Sequence, residues 1–156
     1  MIRSRLLALA ALGCLAAGPV AAQDRPAGWV RLMTWESGVV GREAAPAAVL
    51  PDGLEARIII VWGAPQPDGG VYMLGRMRVD CDARQASVME AVSMTLAGEE
   101  LTRETRDEPN WGDGPPGTPV ATLIGVLCDG TPVADGPLHT DAAAFVEAAR
   151  REPPAP

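Results

Sequence analysis

The chain has 156 residues and a formal net charge of −7, with 13 Arg, no Lys and 20 acidic residues. This length suits one domain with a single modest core. An acidic chain without clustered basic residues is a poor partner for nucleic acid or for an anionic membrane, so we expect neither.

The first 22 residues have the three parts of a cleavable signal peptide. Arg3 and Arg5 precede an apolar run over 6–17, and small residues at 20–22 supply a cleavage site. The run is shorter than the roughly 18 residues that span a bilayer. We therefore predict export to the periplasm or the cell surface. Cleavage removes Cys14 and leaves 11 Arg against 20 acidic residues, a net charge of −9. We expect the protein to be attached to a membrane only if Cys14, which follows a weak lipoprotein-like sequence, is lipidated.

The mature chain opens with turn-separated strands. The run Ile58–Trp62 is rich in β-branched residues, which is typical of a central strand. Residues 71–81 alternate between apolar and polar, and Cys81 shares the apolar parity. Residues 37–50 are rich in Gly, Ala and Pro and are either a loop or an irregular strand. The predicted strands are 29–35, 55–63, 71–81, 85–97 and 100–106.

A helix follows the loop from Pro109 to Gly117. Thr118 and Pro119 are a typical N-cap and first helical residue, and Val120, Leu123, Ile124 and Leu127 recur at helical spacing up to Cys128. The fold class is therefore α+β, a small antiparallel sheet of five to six strands with one packed helix. This domain covers 23–130. The segment 131–156 is predicted to be a C-terminal tail with a short helix over 141–151 and a disordered Pro-rich end.

Cys81 and Cys128 are the cysteines that remain after export. An even count in an exported chain favours a disulfide, here between a strand and the helix. Two thiols and one remote histidine, His139, make a poor zinc site, which needs four ligands. The alternative is a pair of buried free thiols.

No catalytic motif is present, and we expect no catalytic residue, metal or cofactor. The chain lacks a nucleophile elbow and a phosphate-binding loop, and His139 is predicted to be a solvated side chain. The four tryptophans are more informative. Trp29 and Trp35 are predicted to share a strand face, and Trp62 ends the central strand.

Trp111 lies in a loop, where core packing explains an aromatic residue less well than in a strand. It is the best candidate for an exposed binding residue, although the ordinary role of a tryptophan is packing. Asp107, Glu108 and Asp113 surround it and complete the candidate binding loop.

One set of residues spread along the chain forms a pattern with a known counterpart. Its members are Trp35; Tyr72, Arg78, Val79, Asp80, Cys81 and Arg84; the hairpin Leu96-Ala97-Gly98; and Trp111, Pro116-Gly117-Thr118, Leu123 and Cys128. Together they resemble the surface-adhesin protein E domain of Gram-negative bacteria. The resemblance implies a small antiparallel sheet with a helix held by a disulfide. It also implies surface exposure and binding of host matrix or serum proteins.

Three functions are open at this point. The first is a non-enzymatic, adhesin E-like module that binds an extracytoplasmic protein. The second is a periplasmic inhibitor of an enzyme such as a lysozyme, which requires the acidic loop from Asp107 to Asp113 to project into solvent. The third is a small hydrolase, which requires a cleft with converging polar groups.

Overall fold

A computed structural model describes residues 28–133 and 136–151. The predicted signal peptide, Cys14 and the Pro-rich end from Pro153 lie outside the described residues. The elements within them are β1 (Trp29–Trp35), β2 (Gly38–Glu43), β3 (Ala48–Leu50), β4 (Gly53–Trp62), β5 (Tyr72–Asp80), β6 (Gln85–Met94), β7 (Glu100–Thr105), β8 (Gly112–Asp113), α1 (Pro119–Cys128) and α2 (Ala142–Arg151).

The strands form one antiparallel sheet in the order β1-β2-β4-β5-β6-β7. Two short strands extend it. β3 pairs with the first residues of β4, and β8 pairs with the first residues of β6. Because β5 occupies one edge of both β4 and β6, β3 lies on the same edge of β4 as β2. By the same reasoning β8 lies on the same edge of β6 as β7.

The antiparallel sheet and the α+β class are confirmed, but the predicted count of five to six strands was too low. Within residues 28–133 and 136–151 the sheet has eight strands. Residues 37–50, for which a loop and an irregular strand were both possible, contain β2 and β3. The predicted loop from Pro109 to Gly117 contains β8. Strands of two or three residues are too short to show a period-two pattern, so only their docking against β4 and β6 defines them.

The two helices cover opposite faces of the sheet, here named the α1 face and the α2 face. Strand β4 is apolar on both parities and requires cover on both sides. Its even-numbered residues, Ile58 and Ile60, belong to the cluster around Leu123 and Ile124 of α1. Its odd-numbered residues join the cluster around Phe145 and Val146 of α2, where Ile59 and Val61 are buried.

Helix α1 begins as predicted. The Thr118 hydroxyl accepts a hydrogen bond from the Ala121 N–H at 3.2 Å, and Pro119 is the first helical residue. At its other end the predicted disulfide joins Cys81 to Cys128, with the two Cα atoms 5.4 Å apart. Close to this bond, Arg84 in the β5–β6 turn and Asp129, the residue after Cys128, form an ion pair of 2.7 Å. Two links therefore hold the end of α1 to the β5–β6 turn.

Helix α2 corrects the expectation of a single packed helix. Phe145 is 1% exposed and lies so close to β2 that a Cβ atom on Gly41 would come within 2.5 Å of its ring. The chain before the helix is also fixed, because Trp29 and His139 exchange two backbone hydrogen bonds of 2.7 and 2.9 Å. The segment predicted as a tail thus supplies one wall of the core. An amphipathic ten-residue pattern does not show by itself whether its apolar side meets a sheet.

The first prediction concerns the disulfide. Replacing Cys81 and Cys128 together by alanine should lower the free energy of unfolding by about 4 kcal/mol, because the unfolded chain loses a constraint across 47 positions. Urea denaturation of the oxidised wild type and the double variant measures this difference. A non-reducing digest should contain the linked peptides, and two alkylatable thiols in the native protein would contradict the pairing.

The second prediction concerns α2. Phe145→Ala should lower the free energy of unfolding by about 3–5 kcal/mol, because it removes a buried ring from the α2 face. The matched control is Glu147→Ala on the exposed side of the same helix, which should cost less than about 0.5 kcal/mol. Equal, small losses in the two variants would show that α2 is not part of the cooperative core.

Candidate functional site

The loop that carries Trp111 is fixed along the edge of β6. The Arg106 N–H donates to the Met89 carbonyl at 2.9 Å, and the Asn110 N–H donates to the Ser87 hydroxyl at 2.8 Å. Strand β8 then pairs with Gln85 and Ala86. These contacts come from the first half of β6, which β7 leaves unpaired. The loop therefore lies against the sheet at several points.

The four predicted binding residues have different surroundings. Asp107, Glu108 and Asp113 are all exposed, but Asp113 lies in β8 and accepts a hydrogen bond of 3.0 Å from the side chain of Gln85. Trp111 is half-buried and belongs to neither core cluster. One aromatic residue and two free carboxylates thus share a short, anchored loop, and the third carboxylate is engaged within the sheet.

The expectation that Trp29 and Trp35 share a face is wrong. A register shift between Arg31 and Met33 inserts an extra residue into β1. Such a β-bulge reverses the parity of the residues beyond it. Trp29 is consequently buried on the α2 face, and Trp35 lies on the α1 face beside Gly38, which pairs with Trp62 on its other side.

A groove of about 430 Å³ lies on the part of the α1 face that α1 does not cover; we name it the Trp62 groove. A ten-residue helix is about 15 Å long, whereas six strands span on the order of 25 Å. The nine residues that line the groove are Trp62, Gln66, Pro67, Asp68, Met73, Ala91, Ser93, Thr102 and Glu104. They come from β4 to β7 and from the β4–β5 loop.

Asp68 is the most firmly positioned polar group of the groove. One carboxylate oxygen accepts from the Gly70 N–H at 2.9 Å, and the other accepts from the Ser93 hydroxyl at 3.0 Å. The backbone N–H of Gly70, followed by the Ser93 hydroxyl, lowers the pKa of Asp68 below its ordinary value. The carboxylate is therefore ionised over the whole neutral and mildly acidic range.

Gly70 allows this arrangement. A Cβ atom there would overlap the Ser93 hydroxyl, and would lie 3.0 Å from Asp68 Oδ1 and 3.4 Å from the Trp62 ring. The carboxylate, the hydroxyl and the indole therefore converge on one backbone position that has room for no side chain.

Charges on the two faces of the sheet are arranged differently. On the part of the α2 face beyond the helix, the arginines alternate with acids. The pairs are Arg57–Glu43, Arg76–Glu55, Arg76–Glu90, Arg78–Asp52, Arg78–Glu55, Arg103–Glu90 and Arg103–Glu100. In the Trp62 groove, Asp68 and Glu104 form no ion pair with any residue that the structure describes, and no cation is among the lining residues.

The serine of the groove and the single histidine of the chain are each engaged with another residue. The Ser93 hydroxyl donates to a carboxylate, and the single histidine, His139, packs edge-on against Phe145 with the ring centroids 5.4 Å apart. Among residues 28–133 and 136–151, no group of three or more His, Cys, Asp or Glu side chains is placed to hold a metal ion. None of the helices in these ranges has the length and apolar character to cross a membrane.

Comparison with known proteins adds no relative. No family model, curated protein sequence or solved structure matches this chain.

Sequence reasoning missed the Trp62 groove because its residues are far apart in the chain. Trp62 was visible as the end of the central strand, Asp68 as part of a Pro/Gly turn, and Glu104 as part of a polar edge strand. The sequence did contain one signal of an open surface. Trp62 shares its strand parity with Ile58 and Ile60 and so lies on the α1 face, where a helix longer than α1 would bury it. Only the register of four strands brings it together with Ser93 and Glu104.

The third prediction separates the two kinds of tryptophan. Trp111→Ala should lower the free energy of unfolding by roughly 1 kcal/mol, because the side chain is half-buried and outside both clusters. Trp29→Ala, which removes a buried side chain, should cost about 3–5 kcal/mol. Urea denaturation of both variants gives the comparison. A loss of several kcal/mol from Trp111→Ala would identify Trp111 as a core residue.

Proposed function

We propose that this chain is a non-enzymatic, exported module that binds another protein in the periplasm or at the cell surface. The observation that carries the proposal is Trp111, a half-exposed aromatic side chain on a loop that β6 holds at several points. Aromatic residues contribute much of the energy of protein interfaces, and a fixed loop loses little conformational entropy on binding. Trp111 with its neighbours Asp107 and Glu108 forms the proposed contact surface.

The proposed compartment is supported by the disulfide and by the predicted signal peptide. Disulfides persist in oxidising compartments and are rare in the cytosol, so the Cys81–Cys128 bond is consistent with an extracytoplasmic location. Cleavage of the signal peptide releases the domain, whereas lipidation of Cys14 would retain it on a membrane.

The resemblance to the surface-adhesin protein E domain supports the same proposal. That family implies an antiparallel sheet with a helix held by a disulfide, and this chain has both features. The adhesin-like part of the proposal, binding of a host matrix or serum protein, comes from the resemblance alone.

Inhibition of a basic enzyme, such as a lysozyme, is the second candidate. It is favoured by the exposure of Asp107 and Glu108 on an acidic protein, since opposite charges accelerate and orient association. The hydrogen bonds that hold the loop along β6 count against it, because an inhibitory loop has to reach into an active-site cleft. A lysozyme activity assay with excess mature protein distinguishes the two candidates.

The test of the main proposal is a capture experiment with the oxidised mature chain. The immobilised protein is incubated with envelope, serum and matrix proteins, and each captured protein is then purified and titrated directly. We expect Trp111→Ala to weaken the direct binding at least tenfold, which corresponds to about 1.4 kcal/mol. The control is Val49→Ala, which shortens an exposed apolar side chain on β3, far from the β6 edge.

Two results would count against this function. One is the absence of any protein that binds the purified chain directly. The other is equal binding by Trp111→Ala and the wild type, which would place the contact elsewhere on the molecule.

A further inference from the structure

We propose that the Trp62 groove is a binding site for a positively charged side chain, arginine above all, presented by a protein partner. The inference goes beyond the proposed function, since it concerns a surface that does not include Trp111 and names the chemistry that this surface accepts. It rests on the proposed function only in taking the cation to be part of a protein.

The register of the strands explains the shape of the groove. Met73 pairs with Ser93, which pairs with Thr102, and Ala91 pairs with Glu104 one row away. Ser93 therefore lies between Met73 and Thr102, whereas Ala91 lies between Glu104 and Gly75, which has no side chain. Helix α1 does not extend over this part of the sheet. A depression therefore remains in the sheet surface, and a single elongated side chain can enter it.

The polar groups of the groove are arranged before any ligand arrives. Asp68 accepts one hydrogen bond on each oxygen, from Gly70 and from Ser93, and each oxygen keeps a further lone pair for a donor. A planar guanidinium has several donors in a fixed fork and suits such a carboxylate better than any other side chain. The β4–β5 loop already holds Asp68 in this orientation, so its side chain loses little conformational entropy when a ligand binds.

The charge of the groove selects for a cation. Asp68 and Glu104 both line it without an ion pair to any described residue, although nearly every carboxylate on the open part of the α2 face is matched by an arginine. Trp62, which belongs to neither core cluster, adds the face on which cations are most strongly attracted. A metal ion is disfavoured because no group of three ligating side chains occurs in the described part of the chain.

A tryptophan with nearby carboxylates can also bind a sugar, so the experiment includes that outcome. The Trp62 indole N–H, assigned by comparison with Trp62→Phe, is followed by NMR during titration with N-acetyl-arginine amide. Parallel titrations use N-acetyl-citrulline amide, which has nearly the same shape without the charge, and N-acetylglucosamine. A single side chain should bind on the order of 10 mM at low salt. The citrulline analogue should bind at least tenfold more weakly.

Three variants complete the test. Asp68→Asn should weaken arginine binding at least tenfold, and Glu104→Gln about threefold, while Asp82→Asn should leave it unchanged. Asp82 is the matched control, because it is an exposed acid in the β5–β6 turn at the opposite end of the sheet. If Asp68→Asn proves unfolded by circular dichroism, Glu104→Gln decides the question, since that side chain is exposed and makes no bond with the described residues.

The proposal is overturned by equal binding of the arginine and citrulline analogues, by stronger binding of the sugar, or by an equal loss in Asp82→Asn and Asp68→Asn. The absence of a saturable shift at Trp62 also overturns it. These results are independent of the capture experiment. If the Trp111→Ala variant loses a partner and the groove does not bind arginine, the proposed binding function stands. Only the groove is then excluded as a binding site.

Discussion

The structure depends on the central strand β4 being apolar on both of its faces. Ile58 and Ile59 point to opposite sides, and both are almost wholly shielded from water. Burying a side chain of this kind contributes about 1.5–3 kcal/mol, so neither face can be left to solvent. A sheet with such a strand needs two covering layers, and the chain supplies them from the two helices that follow the strands.

The covers are secured differently. Helix α1 is tied at its end by the Cys81–Cys128 bond and by the ion pair beside it, both of which reach the β5–β6 turn. Helix α2 has no covalent link and depends on Phe145 against Gly41 and on the backbone bonds between Trp29 and His139. A short, tethered helix cannot extend across six strands, and this limit leaves the Trp62 groove open.

The two parts of the sheet that the helices leave exposed differ in how their charges are paired. On the α2 face, arginines and acids alternate across neighbouring strands and neutralise one another, which suits a solvated surface and contributes little stability pair by pair. On the α1 face, the carboxylates of the groove have no such partners among the residues that the structure describes. The Trp111 loop adds an aromatic side chain and two exposed acids at the edge of β6. The proposed binding function draws on these two aromatic, carboxylate-bearing surfaces, and the basic residues of a partner would complement both of them.

The sequence by itself predicted the longer strands, the start of α1 and, with free thiols as the alternative, the pairing of Cys81 with Cys128. Alternation in 71–81 placed Cys81 on the same side as Met77 and Val79, and the Thr118-Pro119 cap placed the start of α1, because period and capping are properties of adjacent residues. Tertiary structure alone decided three things. The bulge near Leu32 reverses the parity of β1 and separates Trp29 from Trp35. The packing of α2 places part of the predicted C-terminal tail in the core. The register of β4 to β7 assembles Trp62, Asp68 and Glu104 into one groove. Each of these depends on contacts between residues far apart in the chain, and no local pattern records which partner a strand or a helix will meet.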